Sequence, residues 1–291
     1  MKVAVVGPGA LGCLFAGRLS DAGVKTHLVD YNSKRADRLT RSGITVERDG
    51  ESIVANVPVS TKFPAGLDCV LVLTKAQSTA RLKLPLDTPV LTLQNGLGNV
   101  ETLCGLIGSA RVLAGTTSEA ATLVAEGHTR HVADGLTSVG AWTSCDPKPF
   151  VNMLVAAGFQ AQVTECPGQL LWEKLAVSAA INPLSAILNV PNGELLANKD
   201  TRQLMRDLVV EAVKVAATEG YRFEQSIVEI AESICEVTGE NISSMLQDIR
   251  AGKQTEIDAI SGEVLRRAQL ALLPTPRTRV IYQLIKGLEG R

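Results

Sequence analysis

The chain has 291 residues, 45% apolar and 20% charged, with a formal net charge of −1. That length and composition support one large or two ordinary domains with sizeable cores. The near-neutral balance gives no nucleic-acid or anionic-membrane surface, and 3% aromatics leave no base-stacking platform.

Residues 2–7, "KVAVVG", read as a buried strand, and residues 10–23 as a helix ending at Gly23. Gly7, Pro8 and Gly9 interrupt the apolar N-terminus, so a strand and glycine turn explain it better than a signal peptide. No uninterrupted apolar stretch reaches spanning length, and the expectation is a cytoplasmic protein without membrane partners. Cys13, Cys69, Cys104, Cys145, Cys166 and Cys235 are widely spaced with no CxxC, which predicts buried, reduced thiols.

Gly7–Gly12, "GPGALG", matches G-x-G-x-x-G directly after a strand and at the opening of a helix. In that place Gly7 permits the tight turn, Gly9 admits a pyrophosphate to the backbone, and Gly12 packs helix against strand. The anion would rest on the amides of the helix beginning near Ala10 and Leu11. The second strand, residues 25–30, ends at Asp30, where an acidic residue accepts from a ribose 2′-hydroxyl and favours NAD. Lys34 and Arg35 follow closely and would suit a 2′-phosphate if Asp30 turns aside; otherwise Ser33 caps a helix over 33–43 and the basic pair is solvated surface. Both cofactor readings stay open.

Short strands are expected around 44–46, 52–54 and 57–59, and buried ones over 68–74 and 89–96. Strands alternating with helices imply a parallel sheet, which β-rich pieces near 111–114, 120–124 and 138–142 would extend or close. Ligands of such sheets bind beyond the strand carboxyl ends, where Lys75 and Asn95 fall. Taken singly, Lys75 reads as a loop charge and Asn95 as an Asn-Gly turn former; their shared placement favours a site. His128 and His131 have no acidic or cysteine partner at ligand spacing in the sequence, so no metal is expected.

Pro and Gly punctuate 145–150 and 166–169, and helical periods then dominate over 169–190, 200–219, 223–237 and 255–272. The expected organisation is an α/β dinucleotide-binding domain over 1–165 and a helical domain over 166–291. The segment 174–190 is unusual. Its polar residues Lys174, Ser178, Asn182, Ser185 and Asn189 fall within an arc of roughly 80° on an otherwise apolar helix, with Pro183 expected to kink it. Further on, residues 243–258 offer Ser244, Asp248, Glu256 and Asp258, although Ser243, Ser244 and Thr255 also suit helix caps.

With these residues laid out, the chain resembles the ketopantoate reductase (2-dehydropantoate 2-reductase) family nearly end to end. "VVGPGALG", "LTKAQ", "LQNGLGN", "WEKLAVSAAINPLSAILNVPNGEL" and "SSMLQDIRAGKQTEID" carry the resemblance. It implies a Rossmann domain, then an all-α domain like the C-terminal part of 6-phosphogluconate dehydrogenase, with the active site in the cleft between. It implies NADPH-dependent reduction of ketopantoate to (R)-pantoate, in pantothenate and coenzyme A biosynthesis. Lys174 would be the catalytic lysine and Glu256 its carboxylate. Lys75 and Asn95 would lie where cofactor and substrate meet. Ser178, Asn182, Asn192 and Ser244 would contact substrate, and Gly7, Gly9, Ala10, Leu11, Gly12 and Asp30 the cofactor. A homodimer is left open.

Two departures stand out. The family usually has asparagine where this chain has Ser178, and the residue after the second strand departs from an arginine often found nearby in NADPH-using members, which keeps NADH in play. A reductase of another branched or aromatic 2-keto acid is therefore a competing reading. A nucleotide-sensing regulator without catalysis is a third, against which Lys174 and Glu256 both stand. The chemistry needs a lysine ammonium near a carbonyl that becomes an alkoxide. Burial would lower its pKa and Glu256 would raise it, a balance the sequence leaves open.

Overall fold

The computed structural model describes residues 1–289. The chain forms two compact units, one of residues 1–94 and 99–167, the other of residues 95–98 and the chain from Gly168 onward.

In the first unit β1 (Lys2–Val6) leads to α1 (Ala10–Asp21), β2 (Lys25–Val29) and α2 (Ser33–Ser42). Then come β3 (Ile44–Arg48), β4 (Glu51–Ala55), β5 (Val59–Ser60), β6 (Cys69–Val72), β7 (Val90–Thr92) and α3 (Asn99–Ile107). The unit ends with β8 (Val112–Thr117), β9 (Ala120–Ala125), β10 (His128–Ala133), β11 (Thr137–Ala141), α4 (Lys148–Ala156) and β12 (Ala161–Val163). The eight-stranded sheet runs β12-β11-β8-β7-β6-β1-β2-β5. From β8 to β5 all pairs are parallel, and β11 meets β8 antiparallel. Order therefore reverses between β1 and β6, the switch point at which such sheets bind ligands.

The central strands are uninterrupted apolar runs because both faces are covered: Val3, Val5, Leu71 and Leu91 are fully buried. Helix α1 packs between two sheets, which is why Cys13, Leu14, Phe15, Ala16 and Leu19 are all inaccessible. Phe15 stacks on Phe159 with centroids 4.4 Å apart.

Several expectations are corrected. Residues 120–125 do not extend the main sheet. They pair with β10 in a second sheet, β4-β3-β10-β9, which covers α1. The apolar face of α1 needs that cover, and strand propensity alone cannot say which sheet a strand joins. The strand near 57–59 is only Val59–Ser60. Asn32, not Ser33, caps α2, accepting from the Arg35 amide at 3.0 Å. The break at 145–150 already contains the start of α4, with proline in its first turn. Of the cysteines, all free, Cys13, Cys69 and Cys235 are buried but Cys166 is exposed.

The second unit contains α5 (Pro167–Leu188), α6 (Glu194–Ala197), α7 (Lys199–Thr218), α8 (Ile227–Val237), α9 (Ser244–Arg250), α10 (Glu263–Leu270) and α11 (Pro276–Glu289). Helix α7 is its axis, burying Met205, Leu208, Val209, Ala212, Val215 and Ala216 against its neighbours. Helix α5 runs unbroken through Pro183. The helical period over 255–272 takes the form of a π-helical turn, Asp258–Gly262, leading into α10. No described helix is long and apolar enough to cross a membrane.

Helix α11 is started by a charge from α7. The buried Glu211 carboxylate accepts from the amides of Arg277 (3.0 Å) and Thr278 (2.8 Å) and from the Thr278 hydroxyl (2.7 Å). These are donors that the first turn of a helix cannot satisfy itself. Glu211→Ala should lower the unfolding free energy by about 1–3 kcal/mol, read as a lower urea midpoint at unchanged slope.

Candidate active site

At the carboxyl end of β1 the chain turns through Gly7 at φ +104°, and its amide donates to Val29 O at 3.0 Å. A Cβ on Gly7 would stand 2.8 Å from Thr74 Cγ2, and one on Gly12 would collide with the Gly7 carbonyl. Around Gly9, by contrast, a Cβ would meet nothing within 4 Å. Helix α1 has no side-chain cap and no acidic residue in its first turn. Its leading amides, at Ala10 and Leu11, thus lie at an open, glycine-lined end, an arrangement that fits a pyrophosphate.

Asp30 at the end of β2 is fully buried at its side chain, and Arg35 grips it through two bonds of 2.5 Å. The Asn32 amide donates to the same carboxylate at 3.2 Å. Bonding to Asp30 pushes the Arg35 pKa up. The guanidinium is partly exposed and lies 5.1 Å from the ring centroid of the exposed Tyr31. Asp30 is turned into this pair, and Arg35 is not merely solvated surface.

Beyond β6 and β7 lies a buried polar network that the sequence reading missed. Gln94 Nε2 donates to Thr74 O (2.8 Å), and Thr79 Oγ1 accepts from Gln94 Nε2 (2.9 Å) while donating to Asn99 Oδ1 (2.9 Å). Thr92 Oγ1 donates to Gln94 Oε1 at 3.0 Å. The network fixes the turn carrying half-buried Lys75, because each of these groups would lose its partner if the turn moved. The only signal for Gln94 and Asn99 is their adjacency to the "NGLG" they bracket.

In the second unit, the ridge of α5 is the stripe left accessible on a buried helix. From Leu171 to Ala186 only Glu173, Lys174, Ser178 and Asn182 are not buried. The ridge divides. Ser185 is fully buried, with its hydroxyl 2.7 Å from that of Ser243. Asn189 terminates the helix at φ +57° and accepts from Arg250 at 2.9 Å. Those two positions serve the fold.

Lys174 is the chemically distinctive group. Burial pulls its pKa down to about 8, partly opposed by the charge of Glu256. Glu256 Oε2 in turn accepts from Asn95 Nδ2 at 3.2 Å. The loop bearing Asn95 is held by Leu97 N donating to Ala259 O at 2.9 Å, and Gly96 (φ +81°) allows close approach to Ala259. Lysine, carboxylate and amide, separated widely in sequence, are brought into one site.

The remaining expected residues lie elsewhere in this unit. Asn192 is buried. Its Nδ2 donates to Thr238 Oγ1 at 3.0 Å, while its Oδ1 has no hydrogen-bond partner among the described residues. Ser244 is exposed at the start of α9, whose cap is Ser243, accepting from Leu246 N at 3.2 Å.

The reading that His131 lacks acidic neighbours is corrected. Its Nε2 lies 2.6 Å from Glu119 Oε2 and 3.8 Å from Asp134 Oδ1. Antiparallel pairing of β9 with β10 brings Glu119 across, which spacing along the chain conceals. Arg48 already holds Asp134 with bonds of 2.8 and 2.6 Å, and Arg18 lies 3.9 Å from it. Two guanidinium charges beside these carboxylates oppose a divalent cation, so the cluster reads as an ion-pair network.

Comparison with known proteins places the chain. The family described as ketopantoate reductase PanE/ApbA matches residues 3–144, and its C-terminal counterpart matches residues 168–289. A 2-dehydropantoate 2-reductase of Halobacterium salinarum is 32% identical, with 98% of each chain covered. One from Shigella flexneri is 35% identical, covering 100% of this chain and 96% of its own. The crystal structure of a ketopantoate reductase from Ralstonia eutropha JMP134 is 30% identical, with a TM-score of 0.91 over 100% of this chain and 99% of that one. A Rossmann-like domain followed by a helical domain is the architecture common to these proteins. The chain belongs to the ketopantoate reductase PanE/ApbA family.

The lowered pKa of Lys174 has a stability consequence. Below about pH 8 the folded protein carries the full cost of an enclosed ammonium. Between about 8 and the ordinary 10.5 the unfolded chain holds more of this proton, so this site raises stability as pH rises. Lys174→Met should lack that rise: urea unfolding across this window should show wild type gaining on the variant with increasing pH.

Proposed function

We propose that this protein reduces ketopantoate to (R)-pantoate with a reduced nicotinamide dinucleotide. The observation that carries the reading is Lys174 on the accessible ridge of α5, within the field of a Glu256 carboxylate that the Asn95 amide holds, with burial drawing the lysine pKa down to about 8. It occurs in a chain whose relatives are named for that reaction. The open glycine turn before α1 supports dinucleotide binding in the α/β domain, residues 1–165, and the α5 ridge supports keto-acid binding in the helical domain, residues 166–291.

When bound, the reduced nicotinamide supplies the hydride to the ketone carbon. Lys174 Nζ donates a hydrogen bond to the carbonyl oxygen, stabilises the alkoxide and transfers the proton, so the C=O bond becomes CH–OH. A pKa near neutrality suits both holding and releasing that proton. Glu256 keeps Lys174 protonated and orients it. Asn95 bridges carboxylate and substrate, Lys75 lies at the cofactor end, and Ser178 and Asn182 line the approach. Asn192 and Ser244 are further substrate residues only through the family resemblance, for the hydroxyl and the carboxylate.

Lys174→Ala should lose kcat by at least about a hundredfold while still binding the dinucleotide, read by absorbance at the nicotinamide band and by fluorescence titration. Near-normal turnover would remove the assignment. Ser178, shorter than the family's usual asparagine, favours as second reading another branched or aromatic 2-keto acid. Comparing kcat/KM for ketopantoate, 2-ketoisovalerate and phenylpyruvate decides between them.

NADPH is the cofactor we infer. Asp30, the group that would accept from a ribose 2′-hydroxyl, is consumed by Arg35, which leaves a partly exposed guanidinium beside Lys34 for a 2′-phosphate. Arg35→Ala should raise the KM for NADPH about tenfold or more and leave or improve that for NADH, measured in parallel assays. An unchanged NADPH/NADH ratio would count against this choice.

A further inference from the structure

Glu256 is the carboxylate on which the proposed role of Lys174 depends, yet it lies in a stretch without an α-helix of its own. Its two neighbours are buried, Thr255 at 2% exposure and Ile257 at 0%. Helix α11 holds both sides of it. Glu289 Oε1, in the last turn of that helix, accepts from the Thr255 amide (2.7 Å) and from the Thr255 hydroxyl (2.6 Å). The same hydroxyl oxygen accepts from Ile257 N at 3.2 Å, so one chain of bonds runs from Glu289 past Glu256.

On the other side, Asp258 accepts from Tyr282 Oη at 2.7 Å and from Lys286 Nζ at 3.1 Å. Lys286 closes the loop on Glu289 Oε2 at 2.8 Å. Burial pushes the Glu289 carboxyl up, but bonds from Lys286 and Thr255 hold it below the ordinary range; Lys286 is pushed up to about 12, chiefly by Glu289. The fixed segment then passes its geometry on. The Glu256 carbonyl accepts from Ala259 N (3.0 Å) and Ile260 N (3.1 Å), and Ala259 O holds the loop of Asn95.

We propose that Glu289 is a positioning residue for Glu256, acting through Thr255, with Lys286 and Tyr282 completing a clamp from α11 onto residues 255–258. This rests on the assignment of Glu256 as the carboxylate serving Lys174. A carboxylate displaced from Lys174 no longer raises the pKa of that lysine, so loosening the clamp has a signature that mere destabilisation lacks.

The test compares Glu289→Ala, Glu289→Gln and Glu256→Gln in steady-state ketopantoate reduction with NADPH across pH, alongside NADPH affinity by fluorescence. Glu289→Ala should lower kcat/KM for ketopantoate about tenfold or more, with NADPH affinity within about twofold of wild type. Its basic limb in kcat/KM should move to lower pH, in the same direction as for Glu256→Gln. Glu289→Gln keeps an acceptor for Thr255 and should recover most of the loss.

If Glu256→Gln shifts the profile and Glu289→Ala keeps the wild-type limb and kcat/KM, the clamp is overturned and the assignment of Glu256 stands. If Glu256→Gln itself behaves as wild type, the underlying assignment fails, and the proposal with it. Should Glu289→Ala not fold, Lys286→Met loosens the same clamp and should displace the limb in the same direction; an unmoved limb there also overturns it.

Discussion

The second unit is organised around the cost of enclosing an ammonium group. Lys174 sits on a helix whose other residues are mostly buried, where water cannot solvate its charge well. The Glu256 carboxylate offsets part of that cost, and the result is a lysine poised near 8 rather than one that is either fully charged or inert. A charge pair of this kind works only if its members cannot drift apart. Asn95, the π-helical turn after Ile257 and the end of α11 all bear on the placement of one carboxylate. A π-turn is a rare interruption of helical backbone that recurs at functional sites.

The first unit solves a different problem by a similar device. Its loops beyond β6 and β7 lie at strand ends, where backbone groups lose their ladder partners. Gln94, Thr74, Thr79, Thr92 and Asn99 supply replacements in a buried network, so the turn carrying Lys75 has a defined shape. The glycine turn before α1 is the opposite case. No atom lies within 4 Å of where a Cβ on Gly9 would stand, and the helix start there has no side-chain cap.

Much of this was legible in the chain itself. G-x-G-x-x-G after a strand, the alternation of strands and helices, and the polar ridge of α5 each follow from local periodicity, which side chains report directly. The ridge itself is a local pattern, and the fold divides it: Ser185 and Asn189 tie α5 to Ser243 and Arg250. Strand assignment near 120–124 was legible while sheet membership was not, because propensity carries no information on which partner a strand finds. His131 shows the same limit: Glu119 is twelve residues away in sequence and in hydrogen-bond contact in space.

By itself, then, the sequence determined the fold class, the glycine turn, Asn95 at a strand end and the polar ridge led by Lys174, since each is a local pattern of residue types, while the family resemblance singled out Glu256 among Ser244, Asp248 and Asp258. Tertiary structure decided what those residues are to one another. Whether Asp30 stays available or is consumed by Arg35, and whether Lys174 is an ordinary ammonium or one drawn down to about 8, depends on burial and on charges brought close by folding. Those energies vary with distance and local dielectric, which a linear order of residues does not contain.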